Sequence, residues 1–178
     1  MNVRIQKLHP DAVIPQYATA GAAGFDLVAV EDVVIGPGET EKVPLGLAFE
    51  IPEGYVLYVC MRSGIALKTK LRQPNGIGVI DSDYRGEVAM MFDNISQEFA
   101  DLPLELRHVY NDWYYDITGK TQRSPGVRYE KGTYLIRKGD RVAQGVISPV
   151  ARVNFVESAE LSETERGDGG FGHTGVSG

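Results

Sequence analysis

The chain is poor in several residue types whose scarcity removes whole classes of protein from view. One cysteine in 178 residues forbids an intramolecular disulfide and fits a reducing compartment. That residue, Cys60, sits in the apolar run Tyr55-Val56-Leu57-Tyr58-Val59-Cys60-Met61 and reads as a buried, inert thiol. The three histidines, His9, His108 and His173, are too scattered for a protein-made zinc site. No stretch approaches the roughly 18 apolar residues of a membrane span. The first residues, Met1-Asn-Val-Arg-Ile-Gln-Lys, form no apolar signal region. A soluble, cytoplasmic protein with no membrane contact is expected. Positive charge is short too: 18 Lys and Arg face 24 Asp and Glu, a net charge of −6. This argues against a nucleic-acid polymer as partner, which favours a basic patch. A phosphorylated small molecule stays open, held by a few arginines, backbone N–H groups and a divalent cation.

What the chain does have is short apolar alternation punctuated by glycine and proline. The length suits one domain with a genuine core. In Leu45-Gly46-Leu47-Ala48-Phe49-Glu50-Ile51 the large apolar residues fall on alternate positions, as a half-buried strand requires. Pro52-Glu53-Gly54 supplies a turn, and residues 55–61 read as the returning strand. Further strands are expected at 4–8, 25–29, 88–92, 133–137 and 142–150, and a single short helix at 63–71. The pattern predicts an all-β fold, a sandwich, jelly roll or barrel. Residues 1–165 form the body. Residues 166–178, with six glycines, form an arm expected to be mobile until something orders it.

Three segments carry candidate chemistry. In the arm, Gly167-Asp168-Gly169-Gly170-Phe171-Gly172 matches a dinucleotide fingerprint only formally, since no strand precedes it and no helix can follow. Its glycines let N–H groups approach phosphate oxygens, Arg166 offers a planar fork, and Phe171 can stack on a base. Taken alone, a disordered tail explains it better. Arg62-Ser63-Gly64 stands where a strand meets the helix, with Ser63 as N-cap beside an anion-binding terminus; a plain cap is equally plausible. From Asn75 to Gly86 an apolar run ends in Asp81, whose carboxylate can orient and deprotonate water. Asn75 carries donors and an acceptor for a base edge. A simple Asx turn and hairpin would also satisfy this segment.

Five segments in order resemble the motifs of the trimeric dUTPase family: Ala20-Gly-Ala-Ala-Gly-Phe-Asp-Leu27, Arg62-Ser-Gly-Ile-Ala66, Gly78-Val-Ile-Asp-Ser-Asp-Tyr-Arg-Gly86, Gly139-Asp-Arg-Val-Ala-Gln144 and Arg166 to Gly175. The resemblance implies a jelly-roll-like subunit of a homotrimer that hydrolyses dUTP to dUMP and pyrophosphate, limiting uracil incorporation into DNA. It implies that Asp81 activates the water attacking the α-phosphorus. Asn75, with the backbone of Gly78, Val79 and Ile80, would read uracil, and Tyr84 would pack on the deoxyribose. Arg62, Ser63, Gly64 and Gln144 would line the phosphates. In the arm Arg166 and Thr174 would hold the γ-phosphate, while Phe171, beside Gly172, stacks over the base. Mg²⁺ would be held by the phosphates and water, with Asp26 an outer-shell or structural carboxylate rather than a ligand. Met61 stands where the family usually has Pro, and His173 where it usually has Ser. A histidine there makes the arm's affinity pH-dependent, an idea that fails if His173→Ser leaves the pH profile of triphosphate binding unchanged.

Residues 97–131 fall between the third and fourth motifs, where the family needs only a short connection. Long loops in compact domains are often functional. Some phage dUTPases carry an insert there that contacts a regulatory protein, and Trp113-Tyr114-Tyr115 would suit such a contact. Packing of these aromatics on the domain's own surface is the favoured expectation. A dCTP deaminase of the same fold and a non-catalytic regulatory protein are the competing functions. The fifth motif and the Asn75/Asp81 pairing favour hydrolysis.

Overall fold

A computed structural model describes residues 1–96 and 110–170. Among the described residues the fold is all-β apart from one six-residue helix. Strands β1 (Arg4–Lys7), β4 (Thr40–Glu50), β8 (Val88–Asn94) and β6 (Leu71–Arg72) form one antiparallel sheet in that order. A second antiparallel sheet orders β2 (Phe25–Val28), β14 (Arg141–Pro149), β5 (Tyr55–Met61) and β7 (Gly78–Ile80). The alternate large residues of β4, namely Leu45, Leu47 and Phe49, meet Leu57 and Val59 of β5 and Met90 and Phe92 of β8 in one core. Truncating Leu57, fully buried, would cost about 2–5 kcal/mol.

The helix α1 (Ser63–Lys68) corrects two expectations. Arg62, in extended conformation, is its N-cap, and no side chain caps it; Ser63 is its first residue. The helix also ends three residues before Leu71. There the Thr69 hydroxyl donates back to the Ile65 carbonyl at 2.7 Å, and the extended Thr69 backbone hands the chain to β6.

The described part of the insert carries four short paired strands. Strands β9 (Tyr110–Asn111) and β12 (Tyr129–Glu130) make a small ribbon. Strand β10 (Trp113–Tyr115) pairs with β11 (Thr121–Arg123) and, through Tyr115 and Tyr134, with β13 (Tyr134–Ile136), which itself pairs with β3 (Val33–Ile35). The insert is thus stitched to the body. Tyr114 is buried: its hydroxyl accepts from Arg137 at 3.0 Å, that guanidinium lies 5.3 Å from its ring, and Tyr129 packs edge-on at 5.4 Å. Trp113, at 44% exposure, faces outward. Cys60 is only partly buried, less than its apolar context suggested.

Candidate active site

Two groups of functional side chains form on the second sheet, at different places. The first lies where β5 runs into α1. Register places Asp26 and Cys60 on either side of Gln144, so the first, second and fourth sequence motifs converge. Asp26 is clamped between arginines: Arg62 Nε stands 3.0 Å from Oδ1, and Arg141 Nη1 donates to Oδ2 at 3.1 Å. Yet Oδ1 is buried and receives no aligned hydrogen bond, so the Arg62 contact is one of charge. Arg62 also donates to the Arg141 carbonyl at 3.1 Å. A guanidinium has five N–H donors, so these contacts fix its direction and leave donors for a ligand.

Beside Arg62 opens a cleft of about 280 Å³. Ser63, Gly64 and Gln144 line it as expected, and a Cβ on Gly64 would meet nothing within 4 Å. That glycine leaves open floor at the first turn of the helix, where the Ile65 and Ala66 N–H groups both donate to the Arg62 carbonyl at 3.1 Å. Four further lining residues were not among the expected site residues: Ile65 and Lys68 of α1, and Ile117 and Thr118 of the insert. Asp116-Ile-Thr-Gly-Lys120 is recognisable as a turn by composition, but its docking beside α1 is a tertiary fact. Among the described residues no carboxylate lines the cleft, and Arg62 and Lys68 give it a positive lining.

The second group lies on β7 and the turn after it. Among the described residues strand β7 is an edge strand paired only with β5, which leaves the outward N–H and C=O groups of residues 78–80 available to a ligand. Asn75 is exposed in the preceding turn, where its carbonyl accepts from the Ile77 N–H at 2.7 Å. Asp81 is exposed, and its carbonyl closes a turn by accepting from the Tyr84 N–H at 3.2 Å. Arg85 braces that turn by donating to the Ser82 and Tyr84 carbonyls. The Tyr84 ring lies across Gly86, where a Cβ would stand 2.3 Å from the phenol oxygen, and its hydroxyl donates to the Glu87 carbonyl at 3.1 Å. The turn the sequence allowed is therefore present, directly after an edge strand.

The two groups do not meet within one chain. Ile80 pairs with Leu57, so Asp81 lies level with Val56, and from there to Arg62 is six residues, roughly 20 Å along the strand. The start of the tail nears the second group, since Arg152 lines a cavity with Ser82, Asp83 and Arg85. Residues 150–168 are exposed without regular strand or helix, with Phe155 and Leu161 at 95% and 90% exposure. Arg166 donates only locally, to the Gly169 carbonyl at 2.9 Å. Phe171, Gly172, His173 and Thr174 lie outside the described residues.

The model of the dUTPase family matches residues 11–102 and 128–175. The chain belongs to the dUTPase family. A deoxyuridine 5'-triphosphate nucleotidohydrolase of Nautilia profundicola is 41% identical over 175 residues, covering 98% of this dUTPase and 99% of the relative. The dUTPase of Staphylococcus bacteriophage 80alpha, in a mutant form with dUpNHpp, superposes with a TM-score of 0.88 at 29% identity, covering 98% and 99% of the two chains. A mutant dUTPase from phage phi11 of S. aureus, which coordinates a structural Mg(II) ion, superposes with a TM-score of 0.80 at 29% identity over 90% and 99%. The dUTPase is thus a dUTP diphosphatase of jelly-roll fold, and the deaminase alternative is set aside. Between its two matched stretches the family model leaves out residues 103–127, a narrower segment than 97–131.

Proposed function

We propose that Asp81 is the general base, orienting and deprotonating the water that attacks the α-phosphorus of dUTP, and that each site is completed by neighbouring chains of a homotrimer. The observation that carries this reading is the distance between the two groups on the second sheet. A base acts within hydrogen-bond reach, about 3 Å, or through one water. The series Asn75 to Asp81 leads away from the chain's own Arg62, so a base read at residues 75–80 with its α-phosphate near Asp81 needs another chain's Arg62-Ser63-Gly64-Gln144 cleft. The exposed Val153, Phe155, Val156 and Leu161 supply a second reason for assembly, since one chain gives them no cover.

In this assembly the edge of β7 and Asn75 read uracil, and the Tyr84 ring, pinned over Gly86, packs on the deoxyribose. A wall that excludes thymine's methyl is worth roughly 1–3 kcal/mol, and mismatched hydrogen bonding rejects cytosine more strongly. Residues 166–178 close over the site as a lid, with Arg166 and Thr174 on the γ-phosphate and Phe171, beside Gly172, on the base. Mg²⁺ arrives on the triphosphate: among the described residues no three His, Cys, Asp or Glu side chains cluster as ligands. Asp26, flanked by two guanidiniums, fits an outer-shell role through Oδ1, which accepts no aligned hydrogen bond. When present, Mg²⁺ would supply neutralisation of the phosphate charge. The insert's outward Tyr110, Trp113 and Val127 offer a protein partner a small apolar face, a role that deleting 97–131 separates from catalysis. Pyrophosphate release from dUTP, dCTP, dTTP and UTP, compared side by side with and without Mg²⁺, tests substrate choice. Asp81→Asn is expected to abolish release while dUTP still binds; surviving activity would remove Asp81 from its role.

A further inference from the structure

The insert reaches the phosphate cleft, and it does so through a rigid turn. The Asp116 carboxylate organises residues 116–120: Oδ1 accepts from the Thr118 N–H at 2.8 Å, the Thr118 hydroxyl at 2.6 Å and the Lys120 N–H at 3.1 Å, and Oδ2 accepts from the Gln122 side chain at 2.8 Å. Backbone bonds from the Gly119 N–H to the Asp116 carbonyl, and from the Asp116 N–H to the Lys120 carbonyl, both 2.9 Å, close the loop. At its tip Gly119 adopts φ +75°, and a Cβ there would lie 2.1 Å from the carbonyl oxygen of Lys68. The turn therefore rests on the backbone at the end of α1, and Thr118 and Lys68 line the same cleft as Arg62.

We propose that this turn is the outer wall of the triphosphate cleft and a positioning element for Lys68, which supplies a second cation to the phosphates beside Arg62. The inference rests on the reading of that cleft as the phosphate site. The chemistry divides the labour. The Thr118 hydroxyl commits its proton to Asp116, so towards the cleft its oxygen only accepts; it can receive an N–H of Lys68 or a water, and cannot donate to a phosphate. Lys68, with three donors on a flexible stem, makes the phosphate contact, and the turn limits where that stem goes. The insert thereby acts on substrate affinity from outside the motifs that define the family, leaving base recognition on β7 untouched.

The test uses the full-length enzyme and two readouts, the separation of KM from kcat for dUTP and competitive inhibition by inorganic pyrophosphate. Gly119→Ala pushes the turn off α1. Lys68→Met removes the cation, and Lys68→Arg restores it. Gly119→Ala and Lys68→Met are expected to raise KM and weaken pyrophosphate about tenfold, the size of one charge-assisted contact, with kcat within about twofold. Lys68→Arg recovers most of the loss, and the preference for dUTP over dCTP stays constant. Thr118→Val, close in shape and free of the backbone clash, gives a smaller shift in the same direction and guards against misfolding of the Gly119 variant. Arg62→Ala provides the reference. If it leaves pyrophosphate inhibition intact, the phosphate reading of the cleft is wrong. If it abolishes inhibition while the Lys68, Gly119 and Thr118 variants behave as wild type, the role of the turn alone is refuted.

Discussion

Mixing two inactive variants gives a direct measure of whether the site is shared. Asp81→Asn removes the proposed general base, a loss of about 10²–10⁴ in rate. Arg62→Ala removes a preorganised phosphate donor, a loss of about 10²–10³. Each pure variant should therefore work at or below about 1% of wild type. On the proposed reading, the roughly 20 Å between the level of Asp81 and Arg62 along β5 requires a site to draw these residues from different chains. In an equal mixture, a site is intact when its Arg62 comes from an Asp81→Asn chain and its Asp81 from an Arg62→Ala chain. With random assembly each condition holds half the time, so about one quarter of sites are whole. Co-refolding the two variants should lift pyrophosphate release from about 1% to about 25% of wild type. Native mass spectrometry on differently tagged chains confirms mixing. Mixed trimers that show no more activity than the average of the parents would place both residues in one chain's site and overturn the shared architecture.

Gly86→Ala should displace the Tyr84 ring, because a Cβ there stands 2.3 Å from the phenol oxygen; competition assays should show reduced preference for dUTP over UTP, with dUTP over dCTP unchanged. Tyr114→Phe leaves the ring in place but deprives Arg137 Nη2 of its partner, at a cost of about 1 kcal/mol; the thermal midpoint should fall by about 2–4 °C and amide exchange in 113–123 should quicken. Acid should act through Asp32 and Asp116. The Lys138 N–H and then the Arg137 side chain hold the Asp32 carboxyl below its ordinary 3.8. Burial pushes Asp116 up, but hydrogen bonds from Thr118, Gln122 and Lys120 outweigh it and leave it lowered from 3.8. A depressed carboxylate stabilises the fold above its unfolded value, and that stability is lost as pH falls through the folded value. Thermal midpoints should thus hold down to about pH 5 and drop below about pH 4. Asp32→Asn should flatten that drop, and an unaltered slope would discount the pairing.

The sequence made some of this visible and hid the rest for physical reasons. Strand β5 is bounded at Tyr55 and Met61 as expected, because a turn precedes it and seven residues suffice to show a pattern. The strands of the insert were missed because two or three residues carry too little periodicity to register. The expectation that its aromatics pack inward holds for Tyr114, which is buried, while Trp113 turns out. Ser63 looked like a cap by residue type, yet the backbone of Arg62 sets the helix start. Asp81, Arg62 and Gln144 stand out by motif, but the separation between them depends on strand register, which only pairing reveals. Lys68 and Thr118 gave no local signal, since their shared cleft exists only after the insert docks.

The tail has a consequence for the life of the protein in the cell. Val153, Phe155, Val156 and Leu161 lie bare on a single chain. In the proposed trimer their burial is a concentration-dependent event, so the stability of each subunit rises with the number of its copies. Newly made chains at low abundance would carry a sticky segment with nothing to cover it, exposed to proteases and to wrong partners. Enzyme capacity should therefore fall faster than protein level as expression drops. A cell that makes half as much of this chain would keep less than half of its power to clear dUTP.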